Sequence, residues 1–124
     1  MADRNFYRDQ YTNEANVTRI YCKVTAAADV AADGYTVAAG SGYVSSVTRT
    51  AEGTFTLDLA DAYPAFLGVH ATISKADTTI QFSAEDVAGT TPTVTLKTIT
   101  AGSAADPDSA TMYFELVLRN SSVS

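Results

Sequence analysis

The chain has 124 residues, with 14 acidic and 8 basic side chains, a net charge of −6 and 46% hydrophobic residues. That length fits one domain around one core and is short for two. The acidic balance argues against nonspecific nucleic-acid binding, which relies on clustered Lys and Arg. No run approaches the roughly 20 apolar residues of a membrane-spanning helix, and the single cysteine, Cys22, rules out an intrachain disulfide.

The opening, MADRNFYRDQ, is charged and has no apolar core segment of a signal peptide, so the expected site of synthesis is a cytoplasm. Residues 1–16 show neither helical nor strand periodicity. They set Phe6, Tyr7 and Tyr11 among charges of both signs. Disordered tails are usually poor in aromatics. The expectation is an N-terminal arm that docks on a neighbouring subunit, with Phe6, Tyr7 and Tyr11 as anchors and Arg4 and Arg8 pairing with acidic groups. A frayed terminus is the plainer alternative.

Residues 17–124 read as a β-domain. In Val17 to Thr25, Thr18, Ile20, Cys22 and Val24 share one face, and Arg19, Tyr21 and Lys23 the other. Cys22 is expected to be a small buried hydrophobe. Ala26 to Asp33 is too short and too weakly capped for a helix and is predicted as a loop. Tyr35 to Ala38 is a short strand, and Gly40-Ser41-Gly42 a turn. Tyr43 to Arg49 and Thr54 to Leu59 form a hairpin with Gly53 where a positive φ is expected. Residues 61–68 are predicted as a corner around Pro64, with Tyr63, Phe66 and Leu67 plugging one end of the core.

Val69 to Ser74 points Val69, Ala71 and Ile73 inward and His70 to solvent. Thr78 to Ser83 is a strand, residues 84–92 a polar connection, and Thr93 to Thr100 a strand that shifts phase at Ile99 through a bulge. Residues 101–110 are a loop around the Asp106-Pro107 turn signal. Thr111 to Asn120 is the strongest strand. Met112, Phe114, Leu116 and Leu118 alternate with Tyr113, Glu115, Val117 and Arg119 over four cycles. A strand this apolar is expected at the centre of a sheet, since at an open edge it would invite aggregation. Phe55, Leu57, Phe114, Leu116 and Leu118 are the predicted core. The fold class is all-β: a single-domain jelly-roll-like or Greek-key β-sandwich of about eight strands behind an extended arm.

The residues offer little chemistry. His70 is the only histidine, and no nucleophile elbow or phosphate loop is present. Asp106 and Asp108, separated by Pro107, and the pair Glu85 and Asp86 match no calcium loop. No catalytic residue, metal site or cofactor is expected, and the chain reads as non-enzymatic.

Two stretches, GTFTLDLADAYPAFLG (residues 53–68) and YFELVLRNSS (residues 113–122), together with RIYCKVT (residues 19–25), resemble a family of small virion proteins of tailed bacteriophages. The likeness extends over roughly residues 17–124. In size and expected fold that family is similar to the cement or decoration proteins of phage heads. The resemblance implies a protein of the capsid surface that bridges major capsid subunits. It assigns no functional residues. The expected partners are the major capsid protein and a second copy of the chain, as a homodimer first and a trimer second, through a strand face carrying Tyr21 or Tyr113. A receptor- or glycan-binding head-spike or fibre module, and a tail or connector protein, are the alternatives, because the fold does not decide between them.

Overall fold

The computed structural model describes residues 17–119. Within them nine strands form two antiparallel sheets: β1 (Val17–Ala26), β2 (Tyr35–Ala39), β3 (Val44–Ala51), β4 (Thr54–Leu59), β5 (Ala65–Ile73), β6 (Thr78–Asp86), β7 (Thr93–Thr100), β8 (Ser103–Ala104) and β9 (Thr111–Arg119). One sheet, here called sheet A, has the order β2-β1-β9-β5. The other, sheet B, has the order β3-β4-β7-β6 with β8 paired to β7. β4 and β7 are neighbours although β5 and β6 intervene in sequence, and β9 inserts between β1 and β5. This is connectivity of the Greek-key kind.

The C-terminal strand is central, as its alternation requires. β9 pairs with β1 over nine residues, from Val17↔Arg119 to Thr25↔Thr111, and with β5 on its other side. Its inward set, Met112, Phe114, Leu116 and Leu118, is buried. These residues meet Phe55, Leu57 and Leu59 of β4 and Val94 and Leu96 of β7 in one cluster. Phe55 links the layers: its ring lies 6.0 Å from Phe114 and 5.1 Å from Tyr35, both in sheet A. All five residues expected in the core are there.

Several elements differ from expectation, each for a local reason. Residues 26–33 are not all loop: Val30–Asp33 makes one helical turn, α1. Its first-turn N–H at Val30 is held at 3.0 Å by the carboxylate of Asp108, and Val30 itself is buried. A cap supplied from a distant loop is invisible to local propensity. The corner is shorter than expected, because β5 begins at Ala65. The ladder shifts between Phe66 and Gly68, so Leu67 is the extra residue of a bulge and is half exposed instead of plugging the core. Tyr63 and Phe66 do pack against the core.

β6 runs on to Asp86 instead of ending at Ser83. Its own bulge falls between Phe82 and Ala84, and Phe82 stacks on Phe66 at 5.0 Å. β7 keeps its phase through Ile99, so the bulge expected there is absent. The apparent break in its pattern is Thr98, a buried polar residue where an apolar one is usual. Its hydroxyl donates to the carbonyl of Ala105 at 2.6 Å, which removes the cost of burying it.

Asp106 ties the Asp106-Pro107 loop to the β3–β4 hairpin. Its carboxylate accepts from Arg49 through both Nε and Nη2, at 2.9 to 3.2 Å, and from the Gly53 N–H at 2.9 Å. Arg49 stands opposite Phe55, on the inner side of edge strand β3. An inward charge on an edge strand blocks edge-to-edge pairing, and here a matched carboxylate satisfies it. Gly53 has φ +70, and a Cβ there would meet the Ala105 nitrogen at 2.5 Å. Both the turn and the close approach of the loop therefore require glycine.

Candidate functional site: the outer face of sheet A

The pleat that buries Ile20, Cys22 and Val24 turns Arg19, Tyr21 and Lys23 outward. The same alternation turns Tyr113, Glu115, Val117 and Arg119 outward on β9, and His70 and Thr72 outward on β5. Register then builds rows across the sheet: Lys23, Tyr113 and Thr72 in one, and Tyr21, Glu115 and His70 in the next. Two tyrosines more than 90 residues apart in sequence thus become diagonal neighbours. Tyr21 is 62% exposed and Tyr113 50%.

The polar groups around them are mutually engaged. The Tyr21 hydroxyl donates to Glu115 Oε2 at 2.9 Å, and Arg19 lies 3.6 Å from the same oxygen. The Lys23 ammonium sits 5.8 Å from the centre of the Tyr113 ring, within cation–π range. Two shallow depressions flank this ridge. One, of about 230 Å³, is bordered by Tyr21, His70, Thr72, Tyr113 and Glu115. The other, of about 330 Å³, is bordered by Tyr21, Lys23, Ala39 and Tyr113. Both are open to solvent and lined mainly by ring and methylene carbon.

Cys22 and His70, the one thiol and the one imidazole of the sequence, do not meet. Cys22 is on the inner face and His70 on the outer face of the same sheet. Burial pushes the Cys22 thiol up to about 11, so it is protonated at neutral pH and lacks the thiolate a nucleophile needs. Asp106 and Asp108 do not converge: Asp106 holds Arg49 and Gly53, and Asp108 holds Val30. Among the described residues no group of three or more His, Cys, Asp and Glu is placed to hold a metal ion. The arrangement can present two rings and three cations to another surface.

Of the residues singled out from the sequence, Tyr21 and Tyr113 are brought together. Arg4, Phe6, Tyr7, Arg8 and Tyr11 lie outside the described residues. The sequence alone turns His70 to solvent, sets Arg19 and Lys23 beside Tyr21, and sets Arg119 beside Tyr113, but it does not join these sets into one face or name the three cations as contact residues. The signal that unites them is strand pairing, since β1 and β9 are the first and last strands among the described residues. Comparison with protein-family models, curated proteins and solved structures found no match to this chain.

Proposed function

We propose that this chain is a non-enzymatic virion structural protein of a tailed bacteriophage, a capsid cement or decoration protein that binds major capsid subunits and stabilises the head. The observation that carries this reading is the outer face of sheet A. Two large rings stand exposed as diagonal neighbours on a hydrogen-bonded sheet, and neighbouring exposed rings are a common mark of an interaction surface. Tyr is enriched at protein interfaces because its ring contributes area and its hydroxyl stays wet. The resemblance of residues 19–25, 53–68 and 113–122 to phage virion proteins supplies the setting. A rigid sandwich touching several subunits of a shell gains by multivalency, with each contact weak.

The reading includes a symmetric oligomer on the particle, a homodimer first and a trimer second, since shells present two- and three-fold axes. It places the protein on the capsid surface after synthesis in the host cytoplasm. The test is location. Gold-labelled antibody against the chain, applied to intact purified particles of the phage that encodes it, should mark the heads evenly. Label confined to fibre tips or head spikes would replace this reading with a receptor- or glycan-binding module, and label at the neck or tail with a connector protein. Particles without the chain at all would end the proposal.

A further inference from the structure

We propose that the outer face of sheet A docks an acidic protein surface, with Tyr21 and Tyr113 as anchors and Arg19, Lys23 and Arg119 facing partner carboxylates. The inference deepens the reading above and rests on it only for the name of the partner. The argument is charge distribution. The chain as a whole carries a net charge of −6. Among residues 17–119, three of the six Lys and Arg stand on this one face, whereas Glu115 is the only one of the eleven Asp and Glu to do so. Glu115 sits between the rows, already engaged by Tyr21 and Arg19. A basic, aromatic face on an acidic body is complementary to a partner that combines carboxylates with apolar hollows.

The same charges disfavour other occupants. Two copies apposed face to face would set one surface with three cations and a single carboxylate against another of the same net sign, which interfaces avoid. Nucleic acid wants a larger and unbroken cluster of cations than three side chains around a carboxylate. A sugar needs one ring face bare for stacking and several convergent polar groups. Here the Lys23 ammonium is over the Tyr113 ring and the depressions are lined chiefly by carbon.

The experiment uses the full chain and two immobilised random copolymers, poly(Glu,Tyr) and poly(Lys,Tyr), at about 0.15 M salt, where exposed charges act over about 8 Å. Poly(Glu,Tyr) supplies carboxylates together with rings. The protein should bind it at least about tenfold more tightly than poly(Lys,Tyr), and binding should weaken as salt rises. Tyr21→Ala with Tyr113→Ala, and separately Lys23→Glu with Arg119→Glu, should each lower that binding by about tenfold or more. Thr56→Ala with Thr95→Ala, on the opposite sheet, should leave it unchanged. All variants are checked for an unaltered thermal midpoint, and Lys23→Glu alone keeps the test decisive if a double variant does not fold.

Equal binding to both polymers, or binding indifferent to these changes, overturns the inference. So does retention on a glycan array that is lost with the tyrosines, which would make the face a sugar platform. Self-association lost with the tyrosines would assign the face to a second copy and likewise overturn it. The assay needs no particle. If antibody labelling fails and polymer binding holds, only the cement reading falls; in the reverse case, only this inference does.

Discussion

The two sheets are alike inside and unlike outside. Both inner faces are built mainly of Val, Leu, Ile, Met and Phe, with Cys22 among them in sheet A and Thr98 and Arg49 in sheet B. The outer face of sheet B is a polar lattice that closes on itself. Thr56 and Thr95 stand opposite each other with hydroxyls 3.3 Å apart, and Asp58 accepts from Ser46 at 2.9 Å and Thr48 at 3.1 Å. Threonine fits a pleated strand as well as tyrosine does, and its hydroxyl gives a neighbour something to bond. The outer face of sheet A instead carries two large rings, Tyr21 and Tyr113, each half or more exposed. Strand propensity is satisfied either way, so the difference is not required by the fold. It is the contrast on which the proposed docking face rests.

That contrast demands that the two inner faces be energetically equivalent, and this is where the largest effects are expected. Phe55→Ala in sheet B should cost about 3 to 5 kcal/mol and Leu116→Ala in sheet A about 2 to 5 kcal/mol, read by chemical denaturation. A loss below about 0.5 kcal/mol at either position would mean that its sheet does not share the core.

A smaller effect is expected at the tie that sheet B alone possesses. Asp106→Ala removes a carboxylate from Arg49 and leaves the Gly53 N–H without its acceptor, which should cost about 1 to 3 kcal/mol for that buried donor. The pair also predicts a pH dependence. The Arg49 hydrogen bonds, helped by the Gly53 N–H, hold the Asp106 carboxyl below the usual carboxylate range, although partial burial opposes them. The unfolded chain therefore takes up the proton first as pH falls. Stability from this group is fully present above about pH 4, the value for a free aspartate, and is lost as pH falls through the lower folded value. Asp106→Asn should flatten that part of the acid limb in a denaturation series. An acid limb identical to the parent's would show that the pair does not couple folding to protons.

How much of this was legible beforehand follows from the range of each interaction. The strand β9, its central place and its buried set were legible because a period of two is written in consecutive residues. Tyr21 and Tyr113 were each legible as outward-facing for the same reason. Their meeting was not, because it depends on β1 pairing with β9 in one register out of several. Arg49 with Asp106, 57 residues apart, and Asp108 with Val30, 78 apart, carry no local signature at all. The two aspartates drew notice only as a weak metal motif and, at Asp106, as part of a turn signal. Leu67 and the second half of β6 were misplaced for a related reason: a bulge inserts one residue and reverses every face beyond it. Val87, buried at 1%, was hidden in a stretch otherwise polar enough to read as loop.

The smallest effects on stability, and the sharpest test of the contrast, come from exchanging the two outer faces. Tyr21→Thr with Tyr113→Thr would give sheet A the character of sheet B, and Thr56→Tyr with Thr95→Tyr would do the reverse. Both residues are good strand formers, and the sites lie away from the core, so each change should alter stability by no more than about 0.5 kcal/mol. The Tyr21 hydrogen bond to Glu115 is exposed, which keeps its removal within that range. What should change is the surface. The first variant should elute earlier from a hydrophobic-interaction column than the parent and the second later, in proportion to exposed ring area. If the tyrosines were present for stability, the first pair would instead lose more than about 1.5 kcal/mol, because rings packed on Lys23 and Glu115 would be bracing the sheet. In that case the uncovered face is part of the scaffold, and the division of labour between the two sheets dissolves. If stability holds while retention moves in opposite directions, the rings are dispensable to the sandwich itself, as a role in an external contact requires.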